Sequence, residues 1–400
     1  MSSSTPLRAV PTDDRAWLLA ALADALSGGS AVLPLAPGAD PADVEDVLEQ
    51  PIPEGTALVI RTSGSSGVPK SVAISAQALR AGAEATHEAL GGPGQWLVAL
   101  PVHLIAGAQM LTRSLIAGTD PVFCDGPDGH FDPAVFVQRA ESMDADRRYV
   151  SLVPVQLARL LDLAEQDRAA ADTLRRFAAI LVGGQGVSLD LRRRSHALGL
   201  ELRRSYGMTE TSGGCVYDGV EIGDTQVRIR EGEVQIAGSV LAEGYLGDAE
   251  LTEAAFVDDR GTLWYRTGDA GELLGGMLTV TGRLDRVVIS GGINVSLDQV
   301  ERVVREHDGW REAVAVPFTD PEWGERPGLV RAIAEETDDA LGFSDLQERV
   351  RAELGAAAVP AWVTELEELP RLPNGKPDML RVRERIGMLR DSFREAGRLS

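Results

Sequence analysis

Lys70 and Lys376 are the only lysines in a 400-residue chain that carries 39 lysine and arginine residues. Surface charge is therefore supplied by arginine, and a surviving lysine marks a place where a compact, flexible ammonium suits the chemistry. Both lysines fall in loops rich in Gly and Pro. The first closes Thr62-Ser63-Gly64-Ser65-Ser66-Gly67-Val68-Pro69-Lys70, in which glycines let backbone N–H groups converge on an anion while hydroxyls and the ammonium add donors. Such a loop can hold a polyphosphate. It is not a Walker A loop, because the GxxxxGK[ST] spacing and the following helix are both missing. Taken alone it also reads as a polar hairpin loop.

The second lysine sits in Pro370-Arg371-Leu372-Pro373-Asn374-Gly375-Lys376-Pro377. Proline fixes the approach and Asn-Gly makes the turn, so the ammonium is presented with restricted freedom; an isolated turn of this kind is also a common solvated feature. Between the lysines, Ser205-Tyr206-Gly207-Met208-Thr209-Glu210-Thr211 combines an aromatic face, hydroxyls and one carboxylate. The ring can stack on a base, and a carboxylate beside polyphosphate can hold Mg2+ together with a few waters. Asp269 in YRTGD and Arg283 in GRLDR lie at strand-loop junctions, where they can meet ribose hydroxyls or simply pair with opposite charges.

These residues need a scaffold, and the apolar pattern supplies one. Residues 13 to 27 predict an amphipathic helix, and 37 to 55 a Pro-punctuated connection. TALVIR (56 to 61) and SVAIS predict strands flanking the Gly/Ser loop. Alternation follows: strand WLVAL, a helix over 105 to 117 ending at Gly118, strand PVFC, a helix over 132 to 142 opened by Asp132 and Pro133, strand VSLV, a helix over 155 to 164, strand AAILVGG, a helix from Ser188 to Gly199 and strand ELRRSYG. This order predicts an α/β sheet with helices on its faces. After Tyr206 the pattern turns to short β runs, VRIREGEVQIAG and GTLWYRTGDAGELLGGMLTVTGR, which predict a β-rich subdomain. A new α+β unit starts near Arg286, where RVVISGG precedes a helix opened by a Ser296/Gln299 capping box, two strands and a helix capped by Ser344 with Gln347.

Composition limits the alternatives. With 44% apolar residues the chain has material for two or three globular units. A formal charge of −22 opposes binding to nucleic acid or anionic lipid. No apolar stretch reaches the roughly 20 residues of a membrane span, and residues 1 to 15 lack a signal-peptide core, so the expected setting is cytoplasmic. Cys124 and Cys215 form no CxxC pair and are expected as small core residues.

TSGSSGVPK, YGMTET, YRTGD, GRLDRVVISGGINVS and LPNGKPD occur in this order over residues 56 to 378, and in this the chain resembles the acyl-adenylate-forming superfamily of acyl-CoA synthetases, peptide-synthetase adenylation domains and luciferases. Within it, PVHLIAGAQMLTRSL, VSLVPVQLARLL and the short N-terminal portion most resemble the o-succinylbenzoate-CoA ligases of menaquinone synthesis. The resemblance implies a large N-terminal α/β domain with a β-rich subdomain (1 to 284) and a small mobile α+β C-terminal domain (285 to 400), hinged near Asp285. It implies that Thr62 to Lys70 hold the β- and γ-phosphates of ATP, that Gly184, Gln185, Tyr206 and Gly207 border adenine, and that Thr209 contacts phosphate. Glu210 would ligate Mg2+, Asp269 and Arg283 would bind ribose, and Lys376 would reach the substrate carboxylate and α-phosphate. The loop at Gly291 and Gly292 would line the path of coenzyme A. His103 and Ser205 would line the acyl pocket.

One departure stands out: the family's aromatic-His pair is His103-Leu104 here, ahead of Ile105-Ala106-Gly107. The expected partner is a small-molecule carboxylic acid, with self-association left open. Other acyl-CoA ligases of the same mechanism remain as alternatives, as does a stand-alone enzyme that loads a carrier protein; no aspartate for an amino-acid amine lies between Pro101 and Ala117. A second substrate carboxylate would need donors, for which Arg113, Arg203, Arg204 and Gln185 are available by sequence.

Overall fold

A computed structural model of the chain describes residues 6–63, 69–124, 131–320, 322–333, 341–371 and 377–395. By compactness the chain divides into two units. The first runs to Thr267 and takes in Leu273–Thr279; the second comprises Gly268–Glu272 and the chain from Val280 onward.

The first unit holds two sheets with helices between and outside them. One sheet orders the strands Leu7–Pro11, Ala31–Leu35, Thr56–Ser63, Pro69–Ser75 and Gly244–Tyr245. Its first three strands run parallel and the last two pairings are antiparallel. The other sheet has seven strands, with Val122–Phe123, Gln95–Val98, Arg148–Leu152, Ala179–Gly183 and Leu202–Met208 parallel in that spatial order. Gly213–Tyr217 and Val220–Glu221 then continue it antiparallel. Arg148–Leu152 and Ala179–Gly183 are almost wholly buried, as parallel strands covered on both faces must be.

Helices Arg15–Leu26, Ala76–Ala89 and Ile105–Ala117 contribute to a core shared with residues of both sheets, including Leu58, Ile60, Ile74, Trp96, Tyr149 and Leu181. This sandwiching explains why Gly107 through Ser114 are all buried. Thr112 and Ser114 there donate back to Ala108 and Met110 carbonyls (3.0 and 2.9 Å) for want of water. Helices Pro133–Glu141, Pro154–Gln166 and Arg168–Leu174 cover the outer face of the seven-stranded sheet through Phe136, Leu157, Leu160, Leu161 and Leu174.

The predicted helix over 105 to 117 is observed with those bounds, and Gly118 closes it at φ 66. Asp132 and Ser188 cap their helices by accepting from Ala134 and Leu191 N–H groups. Several features were not predicted: strands Leu7–Pro11 and Ala31–Leu35, helix Ala76–Ala89, helix Arg168–Leu174, and a short helical turn at Glu45–Leu48 inside the expected connection.

The β-rich region is a sheet of Gln226–Arg230, Glu233–Ala237, Thr262–Leu274, Phe256–Asp259 and Met277–Arg283. Its first hairpin turns on Glu231 and Gly232, both at positive φ. In the second unit a sheet of Ile293–Ser296, Val287–Ser290, Gly324–Ala332, Val314–Asp320 and Val363–Leu366 packs against helices Leu297–Val304 and Phe343–Leu354. Helix Met379–Glu395 adds Val382 and Ile386 to a separate cluster with Val314, Val316 and Val330. Ser296 caps its helix as expected. Ser344 does not: the helix begins at Phe343 after Gly342, and Gln347 donates instead to the Pro360 carbonyl at 2.8 Å. Gly342 already holds the extended backbone of a cap (φ −62, ψ 151), which leaves Ser344 inside the first turn.

Candidate active site

The two strands that bracket the Gly/Ser loop form an antiparallel hairpin, with Thr62 opposite Lys70 and Ser63 opposite Pro69. Thr62 Oγ1 donates to the Lys70 carbonyl at 3.5 Å, which ties the loop's two ends together. Gly64, Ser65, Ser66 and Gly67 lie outside the described residues, as does Lys376.

Strands Ala179–Gly183 and Leu202–Met208 are parallel neighbours, with Gly183 opposite Ser205. Their carboxyl ends therefore bring Gly184 and Gln185 alongside Tyr206 and Gly207, at the edge of an α/β sheet where ligands bind. Gly184 has φ 79 and Gln185 is exposed. Gly207 faces Gly214 across the antiparallel pair, and a Cβ there would stand 2.1 Å from the Gly213 carbonyl oxygen. The Ser205 hydroxyl lies over Gly214, whose own Cβ would fall 2.0 Å from it.

Thr209–Thr211 form a single 3-10 turn, and Ser212 leaves it in the left-handed region at φ 53. The turn is heavily braced. Met208 N–H donates to Thr211 Oγ1 at 2.9 Å, and Thr211 Oγ1 donates to the Gly213 carbonyl at 2.8 Å. Gln109 Nε2, from the buried helix, donates to the Ser212 carbonyl at 2.7 Å, and Ser212 Oγ donates to the Val240 carbonyl at 2.7 Å. Glu210 projects from this turn, and its carbonyl accepts from Ala242 N–H at 2.9 Å.

The segment after Ala242 then joins the loop hairpin: Glu243 and Leu246 N–H donate to the Ala73 and Ser71 carbonyls, both at 2.8 Å, and Tyr245 pairs with Val72. Tyr245 is the link that the sequence did not single out. Its hydroxyl donates to Glu210 Oε1 at 2.8 Å, while its ring lies 5.4 Å from Lys70 Nζ. Lysine and carboxylate from motifs 140 residues apart thus share one side chain.

Among the described residues no cluster of three His, Cys, Asp or Glu side chains could hold a metal by itself. A lone carboxylate fits Mg2+ of the kind that keeps several waters and takes its remaining ligands from phosphate. Glu210 is the residue that would hold it.

Asp269 and Arg283 meet, Arg283 Nη1 donating to Asp269 Oδ1 at 3.3 Å. Arg283 also donates to both oxygens of Asp285 at 3.2 and 3.3 Å, and its N–H donates to Asp298 at 2.6 Å. Asp285 occupies the 3-10 turn Leu284–Arg286. Gly291 and Gly292, at φ 58 and 80, turn the hairpin between Val287–Ser290 and Ile293–Ser296, and the Gly291 N–H donates to the Trp323 carbonyl at 2.8 Å. Trp323 also fills the space beside Gly291, where a Cβ would be 2.9 Å from the ring.

His103 lies half-buried just before helix Ile105–Ala117, and burial lowers its pKa. Arg113 is 3% exposed with its guanidinium 4.8 Å from the Trp96 ring, so it is a core cation and is not presented to a ligand at the surface. Arg203 and Arg204 both face Asp218, at 3.6 and 3.1 Å. Of the two cysteines, Cys215 is buried with its thiol pushed up to about 12 by desolvation, as a core residue should be. Cys124 is half-buried, packs on the outer core cluster and is raised to about 11 for the same reason.

The family model of the AMP-binding enzyme matches residues 13–274, and that of the AMP-binding enzyme C-terminal domain matches 299–376. This chain belongs to the AMP-binding enzyme family. Within the family, the chain is 35% identical to the probable 2-succinylbenzoate–CoA ligase of Mycobacterium tuberculosis over 331 residues, 82% of this chain and 84% of that protein. It is 33% identical to the 2-succinylbenzoate–CoA ligase of Salmonella typhimurium over 79% of this chain and 66% of that protein. An E. coli MenE variant with bound OSB-AMS shares its fold at TM-score 0.66 and 26% identity, covering 84% of this chain and 79% of the other. The AMP-binding enzyme fold, with its large N-terminal and smaller C-terminal domain, is the architecture the motif order implied.

Proposed function

We propose that this AMP-binding enzyme is an acid-CoA ligase that converts o-succinylbenzoate to its acyl-adenylate and then to the coenzyme A thioester. The observation that carries the ATP-dependent half is the convergence of Lys70, Tyr245 and Glu210 beside the turn that follows Tyr206 and Gly207. The identity to 2-succinylbenzoate–CoA ligases supports the choice of acid.

In this reading the residue roles follow from charge. Adenylation brings a carboxylate against an α-phosphate and displaces pyrophosphate, so both reactants are anionic and the barrier is lowered by positioned cations. The Thr62 to Lys70 loop takes the β- and γ-phosphates, with Thr209 as a further phosphate donor. Gly184, Gln185, Tyr206 and Gly207 border adenine. Asp269 accepts from ribose hydroxyls and Arg283 donates to them, each giving up part of its present pairing. Mg2+ held by Glu210 would offset charge on the phosphates. Lys376 approaches the reacting carboxylate and α-phosphate. In the second half-reaction the Gly291 and Gly292 turn lines the approach of coenzyme A, and His103 and Ser205 line the acyl pocket. A change of domain orientation near Asp285 between the halves belongs to the same proposal, as do a cytoplasmic setting and freedom from nucleic acid and membrane. Among the described residues no helix is long and apolar enough to cross a membrane.

The deciding experiment is pyrophosphate release with ATP, Mg2+ and coenzyme A across o-succinylbenzoate, benzoate, octanoate and amino acids. Turnover confined to o-succinylbenzoate is the expected result. Turnover confined to another acid would overturn the substrate but keep the mechanism. Pyrophosphate release with an amino acid and no coenzyme A thioester formed would point to a carrier-loading enzyme.

Lys70→Ala tests the phosphate loop separately. Loss of a charge-assisted contact worth about 1.5 to 3 kcal/mol should weaken ATP binding at least ten-fold with a smaller fall in kcat. An unchanged ATP affinity, measured by calorimetry, would remove the loop from the ATP site.

A further inference from the structure

We infer that Tyr245 is a positioning residue that couples the phosphate-binding lysine to the metal-binding carboxylate. The inference rests on the adenylation reading and adds to it a residue that neither the motif pattern nor the comparisons assign.

Three observations carry it. Tyr245 is 8% exposed and fixed at both levels: its backbone continues the loop hairpin opposite Val72, and its N–H donates to Thr252 Oγ1 at 2.9 Å. Its ring packs edge-on against Phe256, with centroids 6.1 Å apart, so the side chain has little freedom to swing. From this anchored position the hydroxyl donates to Glu210 Oε1 at 2.8 Å. Glu210 Oε2 has no hydrogen bond among the described residues, so the phenol fixes one oxygen and sets the direction of the other. The opposite arrangement, a carboxylate free to rotate, would spread its charge over many orientations and lose the affinity gained by preorganisation.

The ring face does separate work. An ammonium 5.4 Å from the centroid of a tyrosine is attracted by the ring quadrupole, and that attraction confines the flexible four-carbon stem of Lys70. Lys70 and Glu210 carry opposite charges, and both contact Tyr245. No ion pair between them occurs within 4.0 Å among the described residues. With the phenol between them, the hydroxyl satisfies the carboxylate and the ring holds the ammonium. Both stay available to a polyphosphate and its cation.

The two functions are separable by substitution. Tyr245→Phe keeps the ring and the Phe256 contact and removes only the hydroxyl; Tyr245→Leu removes both. ATP affinity is measured by calorimetry in EDTA and in saturating Mg2+, alongside the Mg2+ concentration needed for half-maximal pyrophosphate release. Tyr245→Phe should bind metal-free ATP as the parent does. It should lose about ten-fold in Mg2+-dependent tightening, the scale of a hydrogen bond to a charged acceptor, and need correspondingly more Mg2+. Tyr245→Leu should in addition weaken metal-free ATP a few-fold or more, the scale of a cation-π contact. A Tyr245→Phe enzyme with the parental Mg2+ response, or one weakened equally with and without metal, overturns the coupling and leaves the adenylation reading intact. A parent protein that binds no ATP under either condition overturns both.

Discussion

Lys376→Ala should abolish most acyl-adenylate formation while leaving the protein folded. Lys376 is one of two lysines in a chain whose other cations are all arginine, and it follows Pro373, Asn374 and Gly375 in the sequence at the end of the matched C-terminal family domain. In the proposed mechanism it is the cation nearest the charge that develops as the carboxylate attacks phosphorus. Removing one preorganised donor from such a transition state costs about a hundred- to thousand-fold in kcat. The fall should be confined to the first half-reaction. Supplied with preformed adenylate and coenzyme A, the variant should make thioester at close to the parental rate, because the proposed role of Lys376 ends when pyrophosphate leaves. Rapid-quench measurement of each half-reaction separates the two. Equal loss in both halves would show that Lys376 acts through structure, and no loss in the first would remove it from the mechanism. Lys376→Arg should not restore the rate: a planar fork with five donors is a poor substitute for a compact ammonium at a crowded phosphorus.

What the sequence revealed follows the range of the interactions involved. Helix ends were legible wherever the cap is local, as at Gly118, Asp132, Ser188 and Ser296. Ser344 misled because a hydroxyl one residue inside a helix matches the capping pattern equally well, and only the backbone of Gly342 decides the start. Helix Ala76–Ala89 escaped because Leu79 is the one large aliphatic side chain on its buried side, the rest being Ala78, Gly82, Ala83, Ala85, Thr86 and His87, and a Cβ on Gly82 would sit 3.1 Å from Gln109 Nε2. A helix squeezed between two sheets does not need the bulky stripe that periodicity detects. Strand Ala31–Leu35 carries Pro34, which argues against a central strand, yet it pairs on both sides. Of the site, the residue types and their order were legible. Their assembly was not, since Tyr245 acts on residues 35 and 175 positions away. It belongs to a two-residue strand, Gly244–Tyr245, with no periodicity to notice.

Gly207→Ala should be the most damaging single-methyl change in the nucleotide site. At φ 156 the residue is paired with Gly214 where the register of the two strands shifts, and an added Cβ would stand 2.1 Å from the Gly213 carbonyl oxygen and 2.7 Å from Gly214 Cα. Both neighbours are backbone, so no side chain can rotate away, and the strands must separate. Overpacking of this kind costs about 1 to 3 kcal/mol. At roughly 2 to 4 °C per kcal/mol for a domain of this size, a fall of several degrees in the melting temperature is expected. The functional loss should exceed the stability loss. Tyr206 precedes the displaced residue, and the Thr209–Thr211 turn follows it on hydrogen bonds to Met208 and Gly213, so base stacking and Glu210 shift together. ATP affinity should drop by more than ten-fold, since a nucleotide site has to be held within about half an ångström of its working geometry. Gly387→Ala controls for an added methyl that meets nothing within 4 Å, and as a replacement inside helix Met379–Glu395 it should hold or slightly raise the melting temperature. Thermal melts with and without Mg2+-ATP read both effects at once. A Gly207→Ala protein that melts and binds ATP like the Gly387→Ala control would show that the strand pair yields at no cost, and the bracing of the Glu210 turn would then lose its explanation.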